Sequence, residues 1–410
     1  MTIFKLIPFW VFILLFQLGG NIHYTFLPVL GQRLTDTWIV GIVISALSFT
    51  QLMMDIPAGF LLDRFGYRKM IRIGTVIFIL SCLILAFVPG FLGFVLASIS
   101  ASFGWLFSMP GINAYILSSA PTKSAEKFIV SRDIVSAIGI GLGSIAITYT
   151  VGLTSTTVGL IAAAVLSMAL VFIWISPKET ASVHQEIKVK HHHFYIRRHI
   201  FKKLFSALNK LNPASWMLIS QALCSSIFYS IVWFVVPIMI MDPTKEIFGI
   251  SLGVFDLAII SLGLLLGKLC QKIKERRAIV LGLSIFALSA LIIGNQNQWF
   301  FLLFAFLATS GDELSSVSLW SWLAKLDKDH GTDGEVASVV SFFNDLGWSI
   351  GPVTAGILYG IFGGELTITF AAIPILITFL ISVILIIKYN HTLNFDSSNV
   401  SAPRRIRSKR

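Results

Sequence analysis

Charge is what this chain has least of. Of its 410 residues only 12% are Asp, Glu, Lys or Arg, while 56% are hydrophobic. A soluble domain carries about 25% charged residues, and a chain this long would need two or three such water-facing domains. The shortage excludes that arrangement, so most side chains must have lipid as their solvent. Cysteine is equally scarce. Cys82, Cys224 and Cys270 each sit in an apolar stretch and form neither a disulfide framework nor a zinc-site spacing, so no metal is expected. Neither a Walker phosphate loop nor an HExxH element is present, which argues against an ATP-driven pump and a zinc hydrolase. The reading is of a non-enzyme without a resident cofactor. A cleavable leader is also not apparent. Lys5 is followed by an apolar stretch of about 24 residues, longer than the roughly 7–15 of a signal core, and it reads as a first span that serves as its own signal.

What is present is apolar runs of membrane length. A spanning helix needs about 20 mostly apolar residues. Twelve stretches qualify, at 6–29, 38–62, 70–89, 91–118, 127–150, 155–176, 214–240, 247–270, 277–295, 299–323, 336–361 and 366–388. Links such as Pro89-Gly90 and Asn297-Gln298 are short, which makes neighbouring helices antiparallel. The expected fold is an all-α polytopic membrane protein of twelve transmembrane helices in two six-helix bundles. Its divisions are 1–176 and 213–388 for the bundles, 177–212 for a central loop and 389–410 for a basic tail.

Basic residues orient it. All but two of the 31 lysines and arginines, Arg33 and Lys245, fall at the N-terminus, the loops after even-numbered spans, their flanking helix ends and the tail. Positive charge collects on the cytoplasmic side, so both termini are expected there, in the plasma (inner) membrane. The net charge of +11 then reads as topology plus attraction to anionic lipid headgroups, about 1 kcal/mol per basic residue near the surface, and not as a nucleic-acid footprint. The central loop holds His191, His192 and His193 with His184 and His199 nearby. A solvated basic loop is the simpler account of it, with metal sensing the alternative.

The two halves echo each other. Pro28 in span 1 follows HYTFL, and Pro237 in span 7 follows WFVV. GFLLDRFGYRK (59–69) after span 2 is matched by GKLCQKIKERR (267–277) after span 8, an offset of 208. Asp133 precedes Gly139 by six, as Asp345 precedes Gly351, an offset of 212. Near-constant offsets indicate an internal duplication.

GFLLDRFGYRK resembles the loop signature of the major facilitator superfamily, through Gly59, Leu61, Asp63, Arg64, Gly66, Arg68 and Lys69. The degenerate second copy and the 6+6 arrangement extend the resemblance over nearly the whole chain. The pattern is closest to the twelve-helix drug/proton antiporter-like group. Gly347, Gly351, Pro352 and Gly356 resemble that group's glycine-proline motif, although they stand in span 11, whereas span 5 has Gly139, Gly141 and Gly143 without proline. Span 4 contains no charged residue, so the group's helix-4 arginine is missing. The resemblance implies alternating access: two bundles rock about a central cavity lined by helices 1, 4, 7 and 10. It also implies a gating latch in which Asp63 sits at the N-terminal end of helix 11, favoured there by about 0.3–1 kcal/mol, with Arg64, Arg68 and Lys69 holding it or contacting headgroups and Asp55 in the same network.

Ionisable groups at mid-membrane cost about 2.5–3.5 kcal/mol or more and are functional candidates by default. They are Asp55, Arg132, Asp133, Asp256, Asp312, Glu313, Asp345 and His23. Asp312 and Glu313 lie near mid-depth of span 10, about 100° apart on the helix, so one is expected to face the cavity. A carboxylate in such a cavity can take up and release protons. His23, with Asn21 and Tyr24, is either a ligand-facing residue or a satisfied core imidazole. Arg132 either snorkels to the surface or pairs with a carboxylate. Gln221, Ser225, Tyr229 and Trp233 recur every four residues on span 7 as a polar-aromatic stripe, and span 4 adds Asn113 and Tyr115. The expected activity is proton-coupled efflux of a small molecule by a monomer. The alternatives are uptake of a nutrient such as a sugar or organic acid, or a non-transporting receptor or lipid-handling role on the same fold.

The topology has a direct test. In a background without the three native cysteines, single cysteines at Ser182 and Ser401 should react with an impermeant thiol reagent only from the cytoplasmic side, and one at Asn297 only from outside. Opposite sidedness of the first two would remove the twelve-span reading.

Overall fold

The structure is a computed structural model that describes residues 6–119, 125–177, 213–242, 247–294, 297–326 and 333–399. Among them there are helices and no strand. The first half holds α1 (Ile7–Leu34), α2 (Thr37–Phe65), α3 (Tyr67–Phe87), α4 (Gly90–Ser119), α5 (Ala125–Ile145, continued by the turn Ile147–Thr150) and α6 (Ser155–Ile175). The second holds α7 (Pro213–Met239), α8 (Ile247–Lys272), α9 (Glu275–Ile293), α10 (Gln298–Leu326), α11 (Asp333–Phe370) and α12 (Ala372–Asn399). An apolar stretch of 50 residues, Val339–Lys388, would be far too long for one crossing. It turns back at Gly363, whose φ of 77° a residue with a Cβ rarely adopts. Residues 364–370 therefore begin the twelfth crossing. Gly66, at φ 84°, makes the equivalent reversal between α2 and α3, which explains the glycine in the loop motif.

Lipid tails are as apolar as leucine, so these helices associate by close packing rather than by leaving water. Glycine supplies the approach. On α3 and α4, Gly74 and Gly104 face one another, and a Cβ built on Gly74 would come within 2.7 Å of the Gly104 carbonyl. On α9 and α10, Gly282 and Gly311 do the same, with a built Gly282 Cβ 2.7 Å from the Gly311 carbonyl. The pairs are 208 and 207 residues apart, so the duplication read from the loops reaches into the packing. It holds for the rest of each bundle: α1 packs on α5 and α6 as α7 packs on α11 and α12, and α2 lies on α4 as α8 lies on α10. Phe9, Phe12 and Phe16 line one face of α1 and are fully buried, with Phe16 stacked on Trp105 of α4.

The halves meet along two seams, α2 with α11 and α5 with α8. Both seams are built on glycines far from the termini. Gly41 and Gly356 bring α2 and α11 into backbone contact, and the Val353 amide donates to the Ser45 hydroxyl at 2.9 Å. Pro352, which lacks an N–H, loosens the helix at that point. Across the other seam Gly249 and Gly253 of α8 meet Thr148, Ile145 and the Gly141 carbonyl. The bundles therefore close on the side away from the termini. On the terminal side, Arg68 donates to the Ile173 carbonyl at 3.1 Å and to that of Trp174, and so caps the end of α6. Arg64 and Lys69 lie over Phe65. The arginine and lysine of the loop motif thus hold their own half together. The side chains of Asp55 and Asp63, and the surroundings of Gly59, lie outside what is described.

Gly41→Val would push α2 off α11, because its new methyls meet the Pro352 carbonyl, at a cost of about 1–3 kcal/mol. Spin labels at Asp36 and Ile361, which flank this contact, should show a new, longer distance in the variant. An unchanged distance distribution would mean that the seam does not hold the far side shut.

Candidate functional site

Asp312 of α10 sits where α7, α10 and α11 diverge. A cavity of about 420 Å³ opens there, lined by Gln221 and Ser225 of α7, Asp312, Ser316 and Trp320 of α10, and Ser341 and Asn344 of α11. These are the stretches of the three helices nearest the termini, so the cavity lies on the side opposite the closed seams. Asp312, Ser316 and Trp320 are four residues apart, as are Gln221 and Ser225. Helical periodicity brings each set onto one face.

Asp312 is fixed from two directions. The Gln221 amide nitrogen lies 2.7 Å from a carboxylate oxygen of Asp312, 2.7 Å from the Ser315 hydroxyl and 3.1 Å from the Asp312 carbonyl. The Tyr229 hydroxyl, buried, lies beside Asp312 and Thr309 without a well-formed hydrogen bond. Its ring is stacked on Phe286 and edge-on to Phe255, so α8 and α9 hold it in place. Trp233, the last member of the α7 stripe, packs against the apolar core. Within the stripe, then, Gln221 and Ser225 reach the cavity and Tyr229 reaches the acid from behind.

Glu313, next to Asp312, is partly exposed and lies within electrostatic reach of Asp133 on α5 in the other half. Arg132 does not simply snorkel. Its Nε donates to the Asp133 carboxylate at 2.9 Å, and its guanidinium also pairs with that carboxylate and with the Asn113 amide oxygen of α4. Arg132, Asp133 and Asn113 therefore form one cluster on the first half, facing the acids of the second. Asp345, the duplicate of Asp133, is partly buried, and its neighbour Asn344 accepts a hydrogen bond from Ser226.

The α1 candidates are placed differently. His23 is fully buried between α1 and α3. The Ser81 hydroxyl donates to the Ala97 carbonyl at 2.6 Å, so it accepts from His23 Nε2 at 3.0 Å. Nδ1 is left to accept from the Cys82 thiol at 3.6 Å. Both ring nitrogens are thereby used inside the first bundle, and the satisfied-core alternative is the one this geometry supports. Asn21 is buried and bonds the Gln17 carbonyl, and Tyr24 packs edge-on to Phe78 and Trp105 with Gln51 at its hydroxyl. Tyr115 of α4 is fully buried and donates to the Pro177 carbonyl. Asp256 is buried at the α5–α8 seam, apart from the cavity.

Sequence reasoning missed Ser316, Trp320, Ser341 and Asn344. Two signals were available: the four-residue repeat from Asp312, and the 212-residue offset that equates Asn344 with Arg132. One pattern in the sequence is misleading. Gly249-Ile250-Ser251-Leu252-Gly253 fits the GxSxG spacing of a hydrolase elbow, but it lies within α8 with Ser251 fully buried, where no strand-to-helix turn exposes the hydroxyl.

The comparisons agree with this architecture. The chain matches the profile described as Major Facilitator Superfamily over residues 9–242 and again over 218–409. It is 26% identical over 330 residues to "Multidrug resistance protein 2" of Bacillus subtilis (strain 168), covering 78% of this chain and 80% of that protein. Among solved structures it superposes on a POT family transporter in complex with a thioalcohol-conjugated peptide, with a TM-score of 0.69 at 13% identity over 94% of this chain and 96% of the other. It also superposes on the nucleoside transporter NupG, with a TM-score of 0.68 at 15% identity over 94% and 99%. A third is the human organic anion transporter MFSD10 (TETRAN), at 0.66 and 14% over 93% and 100%. At these identities the likeness to the solved structures is one of fold.

Gln221→Leu tests the support of Asp312. It leaves the carboxylate and Ser315 without their shared donor, a loss of about 1–3 kcal/mol at a buried site. The purified variant should lose several degrees of melting temperature yet elute as the wild type, and Gln221→Asn should recover little, being one methylene short. A melting temperature equal to wild type would show that the amide does not hold the acid.

Proposed function

The chain belongs to the Major Facilitator Superfamily, and from that premise we propose that it is a secondary transporter that exports small amphipathic molecules in exchange for protons. The observation that carries this reading is the pairing of Asp312, held by Gln221, with Glu313, which faces Asp133 across the space between the halves. An exchanger needs a group that binds either a proton or the substrate, and that sits where only one side of the membrane can reach it at a time. A carboxylate in a one-sided cavity, as Asp312 is, meets both conditions. Among the described residues at this site, Asp133, Asp312 and Glu313 stand against the single guanidinium of Arg132. That balance suits cationic or neutral amphipaths better than anions. The aromatic Trp320 and the apolar Leu218 and Val340 in the wall suit the apolar part of such a molecule. The name of the Bacillus subtilis relative supports the efflux direction.

The distribution of basic residues supports cytoplasmic termini, so the cavity is read as facing the cytoplasm and the closed seams as facing outside. This is the state from which an exporter loads. On this reading Asp63 and Asp55 engage α11 when the cytoplasmic side closes. One chain carries the cavity and both halves that move about it, so a monomer suffices, with anionic headgroups around its basic cytoplasmic rim. No cofactor takes part, and the proton gradient is the driving force.

Purified protein in proteoliposomes with an imposed pH gradient, screened with a panel of cationic and neutral amphipathic dyes, tests this directly. Asp312→Asn should abolish gradient-driven accumulation while substrate counterflow survives, because counterflow needs no net proton movement. Glu313→Gln is expected to weaken accumulation and flatten the pH dependence of substrate affinity. If both variants build the full gradient, the coupling assignment to α10 is wrong.

A further inference from the structure

The two seams between the halves are built alike but are not chemically alike. At the α2–α11 seam Ser45 is satisfied, accepting from the Val353 amide. The position 208 residues after Ser45 is Gly253, which offers no such group, and the position 208 after Ser48 is Asp256. Asp256 is buried, only 8% exposed, with one carboxyl oxygen lacking any hydrogen-bond partner among the described residues. It sits against α5, its Cβ 3.6 Å from where a Gly141 Cβ would be. Thr148, which faces Gly249 on the same seam, also has an unpartnered buried hydroxyl.

We propose that Asp256 is a second proton-binding group of the transport cycle, whose neutral carboxyl is required for α5 and α8 to close on the side away from the termini. An ionised carboxylate buried without a partner is far costlier than a neutral one. Among the described residues nothing offsets it. On α5, Gly141 and Ile145 line the seam, and Arg132 and Asp133 lie nine and eight residues earlier, about 12 Å along the axis. On α10 the acids are Asp312, which accepts from Gln221, and Glu313, which lies within electrostatic reach of the like-charged Asp133. On α7 the titratable group is Tyr229, whose ring touches Phe255, the residue before Asp256. On α8 itself the nearest basic residue along the helix is Lys268, twelve residues further, about 18 Å. When the seam parts, water reaches the carboxyl and its proton leaves to the far side. When it closes, the proton must have returned. Phe255 and Tyr229 connect this event physically to Asp312.

The inference rests on the transporter reading, but it is tested without substrate. Spin labels at Tyr149 and Ile250, both exposed beside the seam, are introduced into the full-length protein lacking its native cysteines. In the otherwise wild-type chain the separated population should grow as pH rises, by up to about tenfold per unit, the limit for one linked proton. Asp256→Asn and Asp256→Leu, both neutral, should hold the labels close at every pH. Either folded variant suffices, which protects the test against one failing to fold. In the Asp312→Asn and Glu313→Gln proteins the response of the seam to pH should persist. Wild-type labels indifferent to pH, or a neutral Asp256 variant that still opens with pH, would overturn the proposal. So would a response lost only in the α10 variants, and that outcome would leave proton coupling at the central cavity standing.

Discussion

Hydrocarbon cannot solvate a charge or an unpaired backbone group, and almost everything in this protein follows from that. Each crossing must satisfy its own amides and carbonyls, which makes the chain helical. Each charge must find a partner, a cavity or a membrane surface. Arg68 finds the carbonyls at the end of α6, Arg132 finds Asp133 and Asn113, and Asp312 finds Gln221. Because burial in lipid adds no hydrophobic drive between helices, tight contact has to come from glycine. Gly74 with Gly104 and Gly282 with Gly311 provide it within the halves, and Gly41, Gly249, Gly253 and Gly356 provide it between them.

The same glycines that allow the halves to touch also allow them to part. Contact between bare backbones across α2–α11 and α5–α8 needs no interlocking side chains to disengage. A hinge of this kind can rock without repacking the bundles on either side. The architecture is duplicated, but the two halves of the site have diverged. Where the second half presents Asn344 and Asp345, the first presents Arg132 and Asp133. Among the described residues the site has acids on both sides and a single guanidinium, that of Arg132, on one side, and so is electrostatically lopsided.

The resemblance to the family's loop signature led correctly to the fold, and geometry then sorted the candidate residues. His23 and Asp312 looked alike in the sequence, as ionisable groups at mid-span. The structure separates them because α1 turns the imidazole toward Ser81 and Cys82, whereas α10 turns the carboxylate toward the gap between the helices. A rotation of a helix by half a turn distinguishes the two fates. Rotation is set by contacts with neighbouring helices, which local composition does not encode.

The amino-acid sequence by itself determined the crossings, their number and the internal repeat, because hydrocarbon thickness acts on each stretch independently and duplication leaves a constant offset. It also determined that span 10 carries two acids where lipid would not tolerate them. Only the tertiary structure decided which polar groups share a site. Gln221 and Asp312 are 91 residues apart, and Asp133 and Glu313 lie in different halves. Their meeting depends on how glycine contacts orient whole helices against one another. The unpartnered oxygen of Asp256 belongs to that level too. In the sequence it was one mid-span acid among several, and only the closing of α5 on α8 left that oxygen without a partner among the described residues.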